Sequence, residues 1–379
     1  MQAKNKISFE NERKTAAIIN LNNIRKNLKG IRQKVGDKVK ICPAVKADAY
    51  GHGAVAISKM IENEKLAEYL GVATVEEGIE LRENGINLPI LLFGVTFKDQ
   101  LQKAIENNLT LTIVSLKTLE DTINISQKLN KKAKIHIKVD TGMGRIGATA
   151  SESIEIIKNA YKSENIILEG VFTHFPKSDE KDKSFSLNQI EIFKKLKKDV
   201  ENLNINIPLF HMANSGAILD LPSSYFDMVR PGVMTYGYYP SKETSESIKI
   251  YPSMKLRTEI AFIKKVKKGT PISYGGTFIA PKDCYIATVP IGYADGLNRQ
   301  LSNRHDVIID NKTYKIAGRV CMDQTMIYLE DDFYDIGTEV VFFDFDKITV
   351  STVAEELSTI PYEVTCWISK RVKRYYIDN

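Results

Sequence analysis

The sequence predicts an α/β fold: a (β/α)8 TIM-type barrel followed by a mainly antiparallel β domain. Three observations carry this. From about residue 38 to about residue 245, short apolar β-branched runs alternate with helix-patterned stretches about eight times. A barrel needs roughly this length, whereas doubly wound sheets seldom need so many repeats. After about residue 245 the texture changes to strands separated by Gly, Pro, Asn and Asp turns, as in "CYIATVPIGYADG" and "HDVIIDNKTYKIAGRV".

The elements follow in order. Residues 1–14 are polar and form a leader of unknown role. The stretch 15–20, "TAAIIN", is strand-like and precedes the first barrel unit, so it opens the barrel or pairs with the later β domain. Strands are expected at 39–45, 69–74, 89–94, 109–115, 133–139, 167–174, 208–212 and 226–229. Helices are expected between them at 75–84, 116–129, 151–161 and 187–203, where apolar residues recur three and four apart. The barrel thus spans 15–245 and the β domain 246–379, which suits a 379-residue chain too long for the usual single domain.

Composition excludes several function classes. With 53 Lys and Arg against 47 Asp and Glu the formal net charge is +6, and the cations are scattered, so no nucleic-acid footprint is expected. Cys42, Cys284, Cys321 and Cys366 lie far apart and the five histidines are dispersed, so neither a metal site nor a disulfide framework is read. The polar start and the lack of a run of about eighteen apolar residues predict a cytoplasmic protein with no membrane partner.

In a barrel the chemistry sits where strands end at their C-terminal side. The polar residues at those ends are Lys46, Arg145, His174, Asn214 with Ser215, and Arg230. Lys46 leads, because Pro43, Ala44 and Val45 precede it and Ala47 and Ala49 follow. Desolvation by such neighbours weakens an amine's hold on its proton, which is what Schiff-base formation with an aldehyde requires. Gly142-Met-Gly-Arg-Ile-Gly147 matches G-x-G-x-x-G, but it follows the fifth strand rather than the first, so a dinucleotide site is not expected.

Nine segments in order, "AVKADAYGHG", "KVDTGMGRIG", "THF", "ANSGA", "MVRPG", "SYGGTF", "IGYADG", "GRVCMDQ" and "YEVTCWIS", closely resemble alanine racemase, over about residues 15 to 375. The resemblance implies a pyridoxal 5'-phosphate enzyme that interconverts L- and D-alanine for peptidoglycan, with Lys46 carrying the cofactor as an internal aldimine. It implies Lys46 and Tyr274 as the two acid/base groups, Tyr274 reaching in from the other subunit of a homodimer. Cofactor contacts would come from Tyr50, Arg145, His174, Asn214, Ser215, Arg230, Gly232, Val233 and Tyr362. Substrate contacts would come from Arg145, Met322 and Asp323. Lys138 takes the position of a lysine that many relatives carbamylate, and Tyr293 and Tyr362 would narrow the entrance. Competing expectations are a racemase for serine or a larger amino acid, a non-catalytic pyridoxal-phosphate carrier, and a decarboxylase, which Arg230 in place of an acidic ring partner disfavours.

Overall fold

The computed structural model describes residues 11–378. They form two compact units, Arg25–Ile250 and a second built from the residues up to Ile24 together with those from Tyr251 onward.

The first unit is the barrel. Its eight parallel strands are Lys40–Ile41, Leu70–Val72, Ile90–Val95, Thr110–Ile113, Ala133–Lys138, Ile166–Phe172, Leu209–His211 and Met228–Val229. Each from Leu70–Val72 onward pairs with the next, and the last pairs with Lys40–Ile41. The ring closes where Ala44 bridges Gly71, with the Val45 amide donating to the Gly71 carbonyl at 2.8 Å. Closure leaves no sheet edge. Gly71 is required there, since a Cβ would lie 2.0 Å from the Phe93 ring, which packs with Cys42, Tyr69, Leu209 and Met228 inside the barrel. The first strand is shorter than the expected 39–45 because Pro43 has no amide to offer the ladder.

The expected helices form at Val75–Glu83, Leu116–Leu129, Ala150–Lys162 and Ser184–Asn202, with Ala54–Asn63 and Leu101–Glu106 among the further crossovers. Thr74, Ser115 and Thr149 each start a helix with a reciprocal capping box. Ser184–Asn202 buries Gln189, Ile190, Phe193, Leu196 and Val200, the three-and-four spacing that gave it away.

The second unit is mainly antiparallel. Its largest sheet runs in the order Lys312–Lys315, Asp306–Ile309, Glu339–Phe343, Met254–Glu259, Ala16–Asn20, Lys373–Ile377. The strand Ala16–Asn20 lies between Met254–Glu259 (antiparallel) and Lys373–Ile377 (parallel), so it belongs to this sheet and the barrel unit begins at Arg25. A three-stranded sheet of Phe262–Val266, Cys284–Val289 and Thr325–Tyr328 packs over a small core that includes Val266, Ile272 and Ile286. Residues 1–10 of the expected leader lie outside the described residues. Among those described, no helix is long and apolar enough to cross a membrane, and no His, Cys, Asp and Glu group is placed to hold a metal ion.

Candidate active site

Lys46 stands where the first barrel strand ends, and the backbone that follows it is unusual. Ala47, Asp48, Ala49 and Tyr50 all adopt left-handed conformation, with φ between 51° and 54°. For L-residues each such position costs about 1–2 kcal/mol, so the turn must be held from outside. The Glu77 carboxylate accepts the Ala47 amide at 2.6 Å and the Asp48 carboxylate accepts the Ala54 amide at 2.8 Å. The His52 ring stacks on Tyr236 at 4.5 Å, and the Tyr236 hydroxyl donates to the Ala44 carbonyl at 2.7 Å. The result is a rigid, tightly wound support directly behind the lysine.

Arg230 is buried beside it in chain order of the sheet, at the end of the last strand. Its guanidinium donates to the carbonyls of Thr173 at 2.6 Å and Met212 at 3.1 Å and contacts Nδ1 of His211 at 2.6 Å. Burial lowers its pKa to about 10, so it stays cationic at neutral pH. His174 feels burial first and then, in order, Arg230, Lys138, Arg145 and Lys46, which together push its pKa well below the ordinary value. Of these groups Arg230 touches the ring, its guanidinium donating to Nδ1 of His174 at 3.4 Å.

Lys138 is the least comfortable of them. Its side chain is buried, its amine has no hydrogen-bond partner, and it lies 4.9 Å from the centroid of the Phe172 ring. Burial, then Arg230 and Arg145, drive its pKa well below the usual lysine range. A buried amine whose hold on its proton is weakened by burial and by the nearby Arg230 and Arg145 is the more nucleophilic for it and would be stabilised by added negative charge.

Past the end of the last barrel strand, Met228–Val229, the chain offers neutral donors. The Gly232 amide donates to Ser215 Oγ at 2.9 Å, and a Cβ on Gly232 would lie 2.9 Å from the Tyr50 hydroxyl, so only glycine lets the Tyr50, Ser215 and 232–233 backbone groups crowd together. Asn214 caps the helix Ser215–Asp220, its side-chain oxygen taking the Ala217 amide at 3.1 Å and the Ser178 hydroxyl at 2.6 Å. The glycine-rich loop folds around Asp140, whose carboxylate accepts the amides of Gly142 and Gly144, and it leaves Arg145 exposed.

In the β unit, Tyr274 is 70% exposed, Met322 52% and Tyr293 43%. These residues lie on stitched turns. The amides of Tyr293 and Ala294 donate to the carbonyls of Cys321 and Met322, and Gly292 packs so closely on those carbonyls that a Cβ would sit 2.3 Å from either oxygen. Ser273 Oγ donates to the Arg319 carbonyl at 2.7 Å, and the Arg319 guanidinium lies against Gly275, the residue after Tyr274. The helix Pro361–Trp367, which carries Tyr362, is tied to the same turns because Gly296 abuts the Trp367 carbonyl. Asp323 pairs with Arg371 at 2.8 Å.

The sequence reading passed over Glu77, Asp48, Arg319 and the Arg13–Asp295 pair. Glu77 had a detectable signal, the third helical position after Thr74; the other three depend on backbone turns and on partners remote in the chain.

Comparison with known proteins agrees with this architecture. Residues 19–240 match the family described as alanine racemase, N-terminal domain, and residues 253–376 that described as alanine racemase, C-terminal domain. The chain is 48% identical over 375 residues to alanine racemase 2 of Caldanaerobacter subterraneus subsp. tengcongensis, covering 97% of this chain and 96% of that protein. It is 43% identical over 379 residues to alanine racemase of Clostridium novyi, covering 98% and 97%. The solved structure of alanine racemase from Clostridium difficile 630 superposes with a TM-score of 0.94 at 42% identity, covering 99% of this chain and 97% of that one. Both halves of the chain, the lysine-bearing barrel and the tyrosine-bearing β unit, therefore place it in the alanine racemase family, whose enzymes depend on pyridoxal 5'-phosphate.

Proposed function

We propose that the chain is a cytoplasmic, homodimeric racemase that interconverts L- and D-alanine and supplies D-alanine for peptidoglycan. The observation that carries this reading is that Lys46 and Arg230 follow two paired strands of the barrel, Lys40–Ile41 and Met228–Val229, with the Arg230 guanidinium buried against His211, Thr173 and His174.

The residues suit the family's cofactor. Lys46 is held rigidly at a strand end, as a covalent tether requires. Arg230 offers a buried donor to a ring nitrogen, and Tyr50, Ser215 and the backbone at Gly232 and Val233 offer the neutral donors that bind phosphate well when their geometry is set. His174, Asn214 and Tyr362 complete the cofactor pocket in this reading. When bound, pyridoxal phosphate supplies the electron sink that makes the substrate's α-proton acidic.

Racemisation needs a proton group on each face of the α-carbon. Lys46 Nζ serves one face, and Tyr274 of the partner subunit serves the other through its hydroxyl; the direction of reaction decides which takes the proton and which returns it. Arg230 keeps its own proton, so it would offer the cofactor's ring nitrogen a hydrogen bond without protonating it, which would temper the sink and favour return of the proton over side reactions. Arg145 orients the substrate carboxylate, aided by Met322 and Asp323 of the partner subunit, and a carbamate on Lys138 would hold Arg145 in place. Tyr293 and Tyr362 narrow the entrance.

The test is to incubate purified protein with each enantiomer of alanine alone and follow the other by chiral chromatography. Equilibration from either side, abolished together with the lysine-bound cofactor's visible absorbance in Lys46→Ala, is expected. Equal or faster turnover of serine, lysine or arginine would overturn the alanine assignment.

A further inference from the structure

Beneath Arg230 the barrel interior holds a file of polar groups that the chemistry above leaves unused: His211, His136, Glu169 and Thr110. One constraint orders their protons. A guanidinium only donates, so Nδ1 of His211, 2.6 Å from Arg230, accepts. His211 then carries its proton on Nε2, which lies 2.9 Å from Nδ1 of His136. His136 in turn carries its proton on Nε2, an atom with no hydrogen-bond partner that faces the Glu169 carboxylate at 4.0 Å. The Thr110 hydroxyl donates to that carboxylate at 3.0 Å. Both rings stay neutral, since burial and then Arg230 lower His136 to about 3 and push His211 well below the ordinary value.

Two backbone features build the file. The pairing of Ala133–Lys138 with Ile166–Phe172 shifts register, with Ile135 opposite Leu168 but His136 opposite Gly170, which makes Glu169 the extra residue of a bulge. Plain alternation from Phe172, whose ring stacks on His211 at 5.0 Å, would turn Glu169 away from the file; a bulge re-aims such a side chain. Gly170 leaves space for the imidazole, because a Cβ there would lie 2.7 Å from the His136 ring.

We propose that His136 and Glu169 are positioning residues that hold His211 in the tautomer accepting from Arg230, and so set the plane of that guanidinium at the barrel mouth. The proposal rests on the reading that Arg230 meets the cofactor's ring nitrogen.

Nitrogen NMR of holoenzyme labelled with 15N-histidine reads the tautomers without relying on that reading. Both histidines are expected neutral with the proton on Nε2 throughout the neutral range; a proton on Nδ1 of either, or a charged ring, overturns the proposal. In kinetics, His136→Asn keeps an acceptor where Nδ1 stood and His136→Leu removes it. The Leu variant is expected to lose roughly tenfold or more in kcat for alanine, as when an outer partner that orients a ligating group is lost, with KM within about twofold and cofactor content intact. The Asn variant is expected to recover most of the loss, and equal rates in the Leu variant and the parent, or equal losses in both variants, overturn the positioning role. Glu169→Gln, which preserves volume if the Leu variant does not fold, is expected to move the His136 nitrogen resonances, and unmoved resonances remove Glu169 from the file. An Arg230→Lys enzyme with unchanged cofactor absorbance and kcat would instead sink the reading of Arg230 and leave the tautomer result standing.

Discussion

The Glu77 carboxylate bonds the Ala47 amide at 2.6 Å through one oxygen and the amides of Ala73 and Thr74, at 2.7 and 3.2 Å, through the other. One side chain thus ties the left-handed turn behind Lys46 to the neighbouring strand end and to the start of a helix. Glu77→Ala leaves three amides without their acceptor and is expected to cost about 1–3 kcal/mol in denaturant unfolding. It should also lower kcat by more than it lowers cofactor content, because the strained turn relaxes under Lys46. An Ala variant as stable and as active as the parent would show that the turn holds itself.

Lys138 gives a pH prediction with a definite sign. Its folded pKa lies well below its unfolded value, the ordinary lysine figure near 10.4. Between the two the unfolded chain holds a proton that the folded chain has released, so stability from this residue rises as pH rises through that window and is flat below it. Lys138→Met, which keeps the length without the charge, should flatten the slope of unfolding free energy against pH in buffer free of carbon dioxide. An unchanged slope would contradict a neutral buried amine.

The same buried amine, its pKa lowered by burial and by Arg230 and Arg145, should react in its unprotonated form with dissolved carbon dioxide: its nitrogen bonds the carbon, one N–H proton leaves to solvent, and a carbamate anion results. Holoenzyme in 13C-bicarbonate is expected to show a carbamate carbonyl resonance that Lys138→Met lacks, together with lower turnover in the variant. A parent enzyme without the resonance and equally active with and without bicarbonate would remove the carbamate from the mechanism.

The barrel was legible because most of its strands are short buried apolar runs and its main helices show three-and-four spacing: the strand expected at 167–174 forms at Ile166–Phe172 and the helix expected at 116–129 forms at Leu116–Leu129. Backbone irregularities were not. Ala47, Asp48, Ala49 and Tyr50 carry no mark of left-handed conformation, since the contacts that hold it come from Glu77, the Ala54 amide and Tyr236. The bulge at Glu169 lies inside a run that reads as uninterrupted strand. Arg13 and Asp295 are 282 positions apart, and no local pattern links them. Lys46 could be singled out from its neighbours alone, whereas Tyr274, an exposed tyrosine in a turn, drew attention only through the family resemblance.

Asp295 is a hub for the entrance turns. Its carboxylate is fully buried, accepts two bonds from Arg13 at 2.5 and 2.9 Å and the Gly292 amide at 3.0 Å, and lies 3.4 Å from Arg371. Arg13→Ala strips the bidentate partner from a buried anion and is expected to cost about 1–3 kcal/mol in unfolding experiments. Because Tyr293 and Met322 hang from the same turns, KM for alanine should rise as well. Arg13→Lys should recover charge but not the fork, and so only part of the loss. Arg371→Ala, at an exposed and more distant group, should cost less; the reverse order would displace Arg13 from the hub.

If Tyr274 acts across a two-fold interface, each active site draws on both chains, and two inactive variants can repair each other. Lys46→Ala and Tyr274→Phe protomers, each nearly inactive alone, form mixed dimers in which one site carries both defects and the other carries neither. Random mixing of equal amounts gives half mixed dimers, each with one of its two sites intact, so about a quarter of parental turnover should return. The assay is co-expression with different affinity tags, double purification of the mixed species and measurement of alanine racemisation, where the purified mixed dimer should show about half of the parental rate. A mixed dimer as inactive as either variant would mean that Lys46 and Tyr274 of the same chain work together, and the shared-site reading would fall.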